Sequence, residues 1–212
     1  MTTGESLTIL GRNNSSNVQK VMWLLAELGQ PCTRVNMGGQ FGGNKAPDYL
    51  AKNPNGVVPT LIHGDNVVWE SNTIIRYLAN HFGANALYPV DFVARGLVER
   101  WMDWQLSSLG PANTVLFQSI IRTPAEQRRQ EVIDEARERN AKLFGLLDQY
   151  LAQSEYLGGA SFSIADIAIG PLAHRWMALP VERPDHRHFQ RWYDSLCARV
   201  AFQEHVARIW LS

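Results

Sequence analysis

Three short stretches in the first third of the chain carry residue types suited to gripping a small polar ligand. Ser15 and Ser16 follow a candidate strand and open a candidate helix. Unpaired N–H groups and the helix dipole favour an anion there, although a serine at that position serves equally well as a helix cap. Val58 precedes Pro59 between an Asn-Pro-Asn-Gly turn and a strand. A proline that heads a strand at a sharp turn is a candidate cis peptide, with the Val58 N–H and C=O left free to pair with an extended, peptide-like ligand; the plain alternative is a trans proline that starts a strand. Glu70 and Ser71 set a carboxylate beside a second helix N-terminus. Such a pair takes an ammonium and a carboxylate side by side, the two charges of an α-amino acid head group.

Other chemistry-bearing residues read as structural. Ser163 and Asp166 form a capping box, with Phe162 and Ile167 at the staple positions, which accounts for Asp166 without a catalytic role. His186 and His188 lie beside Pro184 with no cysteine nearby to complete a metal site, so no metal is expected. Cys32 has no adjacent base or second thiol and reads as buried and inert. Walker, GxGxxG, GxSxG and HExxH patterns are absent. Lys+Arg and Asp+Glu number 20 each in 212 residues, so no overall basic field attracts nucleic acid or anionic lipid, and neither is an expected partner. The two cysteines, Cys32 and Cys197, are far apart, and MTTGESLTIL carries no secretory leader, which points to a reducing, cytoplasmic setting. No apolar run approaches the ~18 residues of a membrane helix.

The scaffold for these residues follows from hydrophobic spacing. Residues 7–10 read as a buried strand, then a polar turn at 11–14, then Val18, Val21, Met22, Leu25 and Leu28 at helical spacing with Gly29 as the stop. Residues 33–36 return as a parallel second strand. A short helix is expected over 47–51, an antiparallel hairpin over 60–63 and 67–69, and a helix capped by Ser71 carrying Ile74, Ile75, Leu78 and Phe82. The order βαβ then ββα predicts an α/β, thioredoxin-like domain over residues 1–83, with a linker at 83–90. Residues 91–212 predict an all-α domain. Its expected helices run over 95–109, from a Thr123/Glu126 capping box to about 151, and from 164 to about 177. The mixed charges of the second of these, Arg128, Arg129, Arg137 and Arg139 among Glu131, Asp134, Glu135 and Glu138, read as a solvated face.

In this order and at these spacings, SSNVQKVMWLLAELG (15–29), NPNGVVPTL (53–61), WESNTIIRYLA (69–79), RWMDWQ (100–105) and FSIADIAIG (162–170) resemble the glutathione S-transferase family over essentially the whole chain. No single piece is diagnostic; the five together carry the resemblance. It implies glutathione as co-substrate, a thiol-activating serine at Ser15 as in theta/delta-like and related bacterial members, a backbone clamp at Val58 with its cis-proline Pro59, and γ-glutamyl binding by Glu70 and Ser71. It further implies a homodimer, with apolar surface from Trp69 to Tyr77 and from the helix containing Trp101. Leu10 stands where tyrosine-type members have their Tyr, Ser15-Ser16-Asn17 where thiol-transfer members have a Cys, and Gln19-Lys20 where the zeta type has an Arg.

On this resemblance Ser15 donates to the thiolate, Ser16 caps the helix, and Ser16, Asn13, Asn14 and Asn17 remain alternative donors. A hydrogen bond to a charged group contributes about 1.5 to 3 kcal/mol, roughly one to two pKa units, which brings a thiol from ~8.5 towards neutrality. The electrophile pocket is drawn from Trp104, Ser108, Ala112 and Val115, a stripe that reads equally as interdomain core. The expected function is a glutathione transferase acting on small hydrophobic electrophiles in detoxification, with glutathione-dependent peroxide or disulfide reduction as a further outlet. The alternatives are a non-catalytic interaction protein of the same fold, or a dedicated dehalogenase, isomerase or lyase.

Overall fold

The computed structural model describes residues 6–212. Residues 1–5, which head both the expected first domain and the stretch read as lacking a leader, lie outside the described residues. In β1 (Leu7–Leu10) the apolar side chains are buried on both faces, and α1 (Ser16–Glu27) follows after a polar turn and packs Val18, Val21, Leu24 and Leu25 inward. β2 (Thr33–Val35) returns parallel to β1, with Thr8 opposite Thr33 and Leu10 opposite Val35. The short α2 (Pro47–Leu50) leads to β3 (Thr60–His63) and β4 (Asn66–Trp69), a hairpin whose first strand pairs antiparallel to β1, Leu10 opposite Thr60. The sheet order is β2-β1-β3-β4, the thioredoxin-like arrangement expected from the sequence. α3 (Ser71–His81) then packs beside α1.

From Phe92 onward the described chain is helical apart from turns and connecting loops. α4 (Phe92–Trp104) starts before the expected residue 95 because the Asp91 carboxylate accepts from the Ala94 N–H at 2.9 Å. It does not run on to 109 as one α-helix. A wide π turn over Gln105–Leu109 intervenes before α5 (Gly110–Phe117), and Pro111 sits in the first turn of α5, where its missing N–H is harmless. The Thr123/Glu126 capping box does not form. The Thr123 hydroxyl instead donates back to the Gln118 carbonyl at 3.0 Å, residues Ala125–Gln127 make a single 3-10 turn, and α6 begins later, spanning Gln130–Leu151.

The Ser163/Asp166 box is present at the head of α7 (Ile164–Ala178). Asp166 is fully buried and accepts from Leu157 N, Ser163 N, Ser163 Oγ and, on α8 (Arg187–Cys197), Trp192 Nε1, all within 3.0 Å. One carboxylate thus ties a loop and two helices together. The chain closes with α9 (Val200–Phe202), a π turn over Gln203–Ala207 and a short tail.

One continuous apolar core joins the sheet layer to the helical half. Trp23 of α1 stands at the junction, packed on Phe162 at 5.6 Å and edge-on to Phe202 at 4.8 Å. Gly170 of α7 has to be glycine for this close approach, since a Cβ there would lie 2.5 Å from the Trp23 ring. Among the described residues no helix is long and apolar enough to cross a membrane.

Candidate active site

Ser15 occupies the N-cap position of α1, with extended backbone (φ −86°, ψ 120°), and its carbonyl accepts from Gln19 N at 2.9 Å. Its hydroxyl takes none of the first-turn N–H groups and makes no other described hydrogen bond, although the residue is 9% exposed. Ser16 is the first helical residue rather than the cap expected of it. Its hydroxyl accepts from Arg175 Nη2 at 3.2 Å, because α7 packs across the head of α1. The neighbouring amides are also engaged: Asn14 accepts from Arg12 Nη1 at 2.7 Å, and Asn17 accepts from Ser71 Oγ at 3.2 Å. An uncommitted hydroxyl beside unspent helix N–H donors is therefore found at Ser15.

Across the sheet, the Val58–Pro59 peptide is cis. Neither the Val58 N–H nor its C=O has a described hydrogen-bond partner, although the Asn53–Thr60 turn around it is heavily bonded: Tyr49 Oη and Asn53 Nδ2 both donate to the Val57 carbonyl, at 2.6 and 2.9 Å. Glu70 follows at the end of β4 with φ +69° and ψ 114°, the one described non-glycine residue with positive φ. Such a conformation persists only where the surroundings hold it. Glu70 and not Ser71 is the N-cap of α3, and its exposed carboxylate caps nothing. Ser71 is the first residue of α3, buried, with its hydroxyl at the helix head.

Beneath this floor lies a polar network that bridges the two halves. Lys20 of α1 is fully buried, and its Nζ donates to Ser71 Oγ at 3.4 Å, Asn72 Oδ1 at 3.1 Å and Gln105 Oε1 at 2.6 Å. Asn72 Nδ2 donates onward to Gln105 Oε1 and the Met102 carbonyl. Burial pushes the Lys20 ammonium down to about 7; the Glu70 carboxylate pulls it up and Arg175 pushes it further down.

Family models for the glutathione S-transferase N-terminal domain and C-terminal domain match residues 5–80 and 102–199. The chain belongs to the glutathione S-transferase family. It is 39% identical over 202 residues to the glutathione S-transferase GstB of Escherichia coli strain K12, covering 94% of this chain and 97% of that protein. To glutathione S-transferase 3 of Zea mays it is 32% identical, covering 96% of this chain and 94% of that one. Its fold superposes on a theta-class glutathione S-transferase of Xanthomonas axonopodis pv. citri, crystallised with glutathione bound, with a TM-score of 0.94, 44% identity and coverage of 98% and 100% of the two chains. The enzyme is thus a glutathione S-transferase, with the mixed sheet and helical half of that family.

The four residues drawn for the electrophile pocket are not gathered round one described cavity of this transferase. Trp104 is half-buried and meets Trp101 edge-on at 5.4 Å, Ser108 bonds Ser107 within the π turn at 3.4 Å, and Val115 is exposed. Ala112 is buried, its carbonyl taken by Asn140 of α6 at 3.0 Å. Residues that sequence reasoning left out bond the neighbours of the proposed site: Arg12 holds Asn14, Arg175 holds Ser16, and Lys20 joins Ser71 to Gln105. Two of these left a signal. Lys20 has Trp23 and Leu24 at its i+3 and i+4 positions, and Arg175 follows His174 after the apolar run 167–173.

Proposed function

We propose that this transferase activates the glutathione thiol with the Ser15 hydroxyl. The observation that carries the reading is the Ser15 hydroxyl at the N-cap of α1, which makes no described hydrogen bond, whereas the side-chain oxygens of Ser16, Asn14 and Asn17 accept from Arg175, Arg12 and Ser71. A thiolate placed there accepts a hydrogen bond from Ser15 and feels the positive end of the α1 dipole. The serine does not act as a base; it stabilises the deprotonated sulfur.

The remainder of the tripeptide lies along the sheet. The free Val58 N–H and C=O pair with its cysteine backbone, as a strand edge pairs with a peptide, and the γ-glutamyl ammonium meets Glu70 while its carboxylate meets Ser71 and the α3 N-terminus. Lys20, one hydrogen bond behind Ser71, supplies positive charge under that carboxylate. Calorimetry of Glu70→Ala tests the placement: glutathione affinity falls by about 1 to 3 kcal/mol for one charged hydrogen-bonded contact, whereas unchanged affinity would place the head group elsewhere.

The activated thiolate attacks small electrophiles held against the helical half, among them residues of the 104–115 stretch, and this reaction serves detoxification. The neutral charge balance and two free cysteines of the chain suit a cytoplasmic enzyme. We further propose a homodimer, formed through the regions expected from the sequence, the stretch from Trp69 and the helix α4 that contains Trp101, with the open apolar residues at the start of that helix rather than at Trp101 itself. That residue is only 6% exposed and offers nothing to a partner, whereas Phe92, Val93 and Val90 at the start of α4 are 85%, 74% and 61% exposed, and Trp69 is 39% exposed. We assign these exposed apolar residues to the surface that a second copy covers.

A further inference from the structure

Three arginines converge on the head of α1, and among the described residues no aspartate or glutamate pairs with any of them. Arg12 holds Asn14, and Arg175 holds Ser16 from the other side, so Ser15 sits between two residues each bound by a guanidinium. Arg175 also donates to Asn113 Oδ1 at 3.4 Å. Arg122, in the π turn after α5, donates to the backbone oxygen of Ser212, whose hydroxyl accepts from Asn14. Arg122 and Arg175 share one ring, their guanidinium carbons lying 5.5 and 4.0 Å from the Phe117 centroid.

Arg175 is 8% exposed, and its Nε has no hydrogen-bond partner; Arg12 Nε is likewise buried and unpartnered. Burial, then the charges of Arg12 and Arg122, push Arg175 down to about 10. A buried guanidinium facing two further positive charges, half-buried Arg12 and exposed Arg122, is unfavourable, and an entering anion relieves that penalty. The ring of Phe117 offsets part of it for Arg175 and Arg122 but supplies no hydrogen-bond acceptor.

Of the two carboxylates of glutathione, the proposed placement gives the γ-glutamyl one to Ser71 and the α3 N-terminus, and the glycyl one is the competing anion that the test below separates. Arg122 and Arg175 project from the helical half, against which the proposed electrophile is held. We infer that the electrophile site takes a small molecule that itself carries an anionic group, a carboxylate in the simplest case, received by Arg12, Arg122 and Arg175 beside the reacting sulfur. This rests on the reading of Ser15 as the partner of the thiol. The Ser212 oxygen on Arg122 already stands where one oxygen of such an anion goes, so the tail moves aside when the substrate enters.

For an aryl chloride bearing a carboxylate, the thiolate sulfur adds to the chlorine-bearing carbon and the ring takes up the electron pair as a second negative charge. The C–Cl bond then breaks and chloride leaves with its pair. The thiol proton passes to solvent, and the same guanidinium groups that hold the carboxylate stabilise the added charge in the transition state.

The test uses 4-chloro-3-nitrobenzoate and 4-chloro-3-nitrobenzamide, alike in shape and leaving group and different in charge. Calorimetric titration of each into the protein without glutathione reads the anion site directly, and its outcome is independent of the role of Ser15, which is read by titrating bound glutathione. We expect the benzoate to bind about tenfold tighter than the amide, equivalent to about 1.4 kcal/mol. Arg175→Gln and Arg122→Gln each remove most of that preference, and Arg122→Gln leaves glutathione affinity within about twofold. Arg122 is exposed, so its variant keeps the test sharp if Arg175→Gln fails to fold. Equal binding of the two probes by the unmodified enzyme overturns the inference, as does a preference undiminished in Arg122→Gln. Loss of the preference together with a matching loss of glutathione affinity also overturns it, by assigning the arginines to a carboxylate of glutathione itself.

Discussion

Lys20 holds an ammonium with no exposed surface among three neutral oxygens, and its chemistry reaches both stability and binding. Its pKa is pushed down to about 7 from 10.5, so between those values the folded chain binds fewer protons at this site than the unfolded chain does. The destabilisation is absent above the unfolded value, grows as pH falls towards 7 and is full below it only for the ammonium that must then be buried charged. The sign follows from the proton count: where the unfolded chain binds more protons, stability climbs with pH. We expect the Tm of the unmodified protein to rise between about pH 7 and pH 9 relative to Lys20→Met; parallel curves for the two proteins would remove Lys20 as the source. The proposed glutathione contacts Ser15, Val58-Pro59 and Glu70-Ser71 could be named from the sequence because each lies in a contiguous signal, a cap, a turn or a helix head. Lys20, Arg12, Gln105 and Arg175 were not, because what gives them meaning lies far along the chain: Lys20 meets Gln105 across 85 residues and Arg175 meets Ser16 across 159.

Capping decides where the elements begin, and here local sequence succeeded or failed according to what each side chain found to bond. The Ser163/Asp166 box formed as expected because both partners lie within three residues. The Thr123/Glu126 pattern is the same on paper, yet Gln118 at the head of the preceding π turn offered the Thr123 hydroxyl its carbonyl. The Glu70 and Ser71 positions are shifted by one for a related reason: the positive-φ turn at Glu70 is set by the β4–α3 corner, which no local propensity encodes. Asp166→Ala leaves two backbone N–H groups, a hydroxyl and an indole N–H buried without their acceptor. At about 1 to 3 kcal/mol for each unsatisfied group, with some relaxation, we expect a loss of at least ~3 kcal/mol in denaturant unfolding. A loss under ~1 kcal/mol would mean that the carboxylate is not the tie between α7, α8 and the loop at Leu157.

For the whole molecule, the division into a sheet-bearing half and a helical half was readable from the change in periodicity near residue 91, and so was the sheet order, because a βαβ unit followed by a hairpin has few ways to pack. Which apolar surface stays open was not readable, since Trp101 and Phe92 carry similar hydrophobic signals and only packing separates a buried one from one that is 85% exposed. We expect sedimentation of the protein at micromolar concentration to give twice the chain mass, and Phe92→Asp combined with Val93→Asp to give the single chain with unchanged circular dichroism. A stable monomer before substitution would remove the dimer.

The central proposal is that Ser15 holds the glutathione sulfur, and the most direct measurement follows the thiolate absorbance of enzyme-bound glutathione as a function of pH. Replacing Ser15 with Ala removes one hydrogen bond to a charged group, about 1.5 to 3 kcal/mol, so the pKa of the bound thiol should rise by roughly one to two units. Ser16→Ala, which loses only the Arg175 contact, should leave that titration in place. A Ser15→Ala curve that overlays the unmodified enzyme, with Asn14 or Asn17 substitution moving it instead, would contradict the central claim and assign the thiol to an amide.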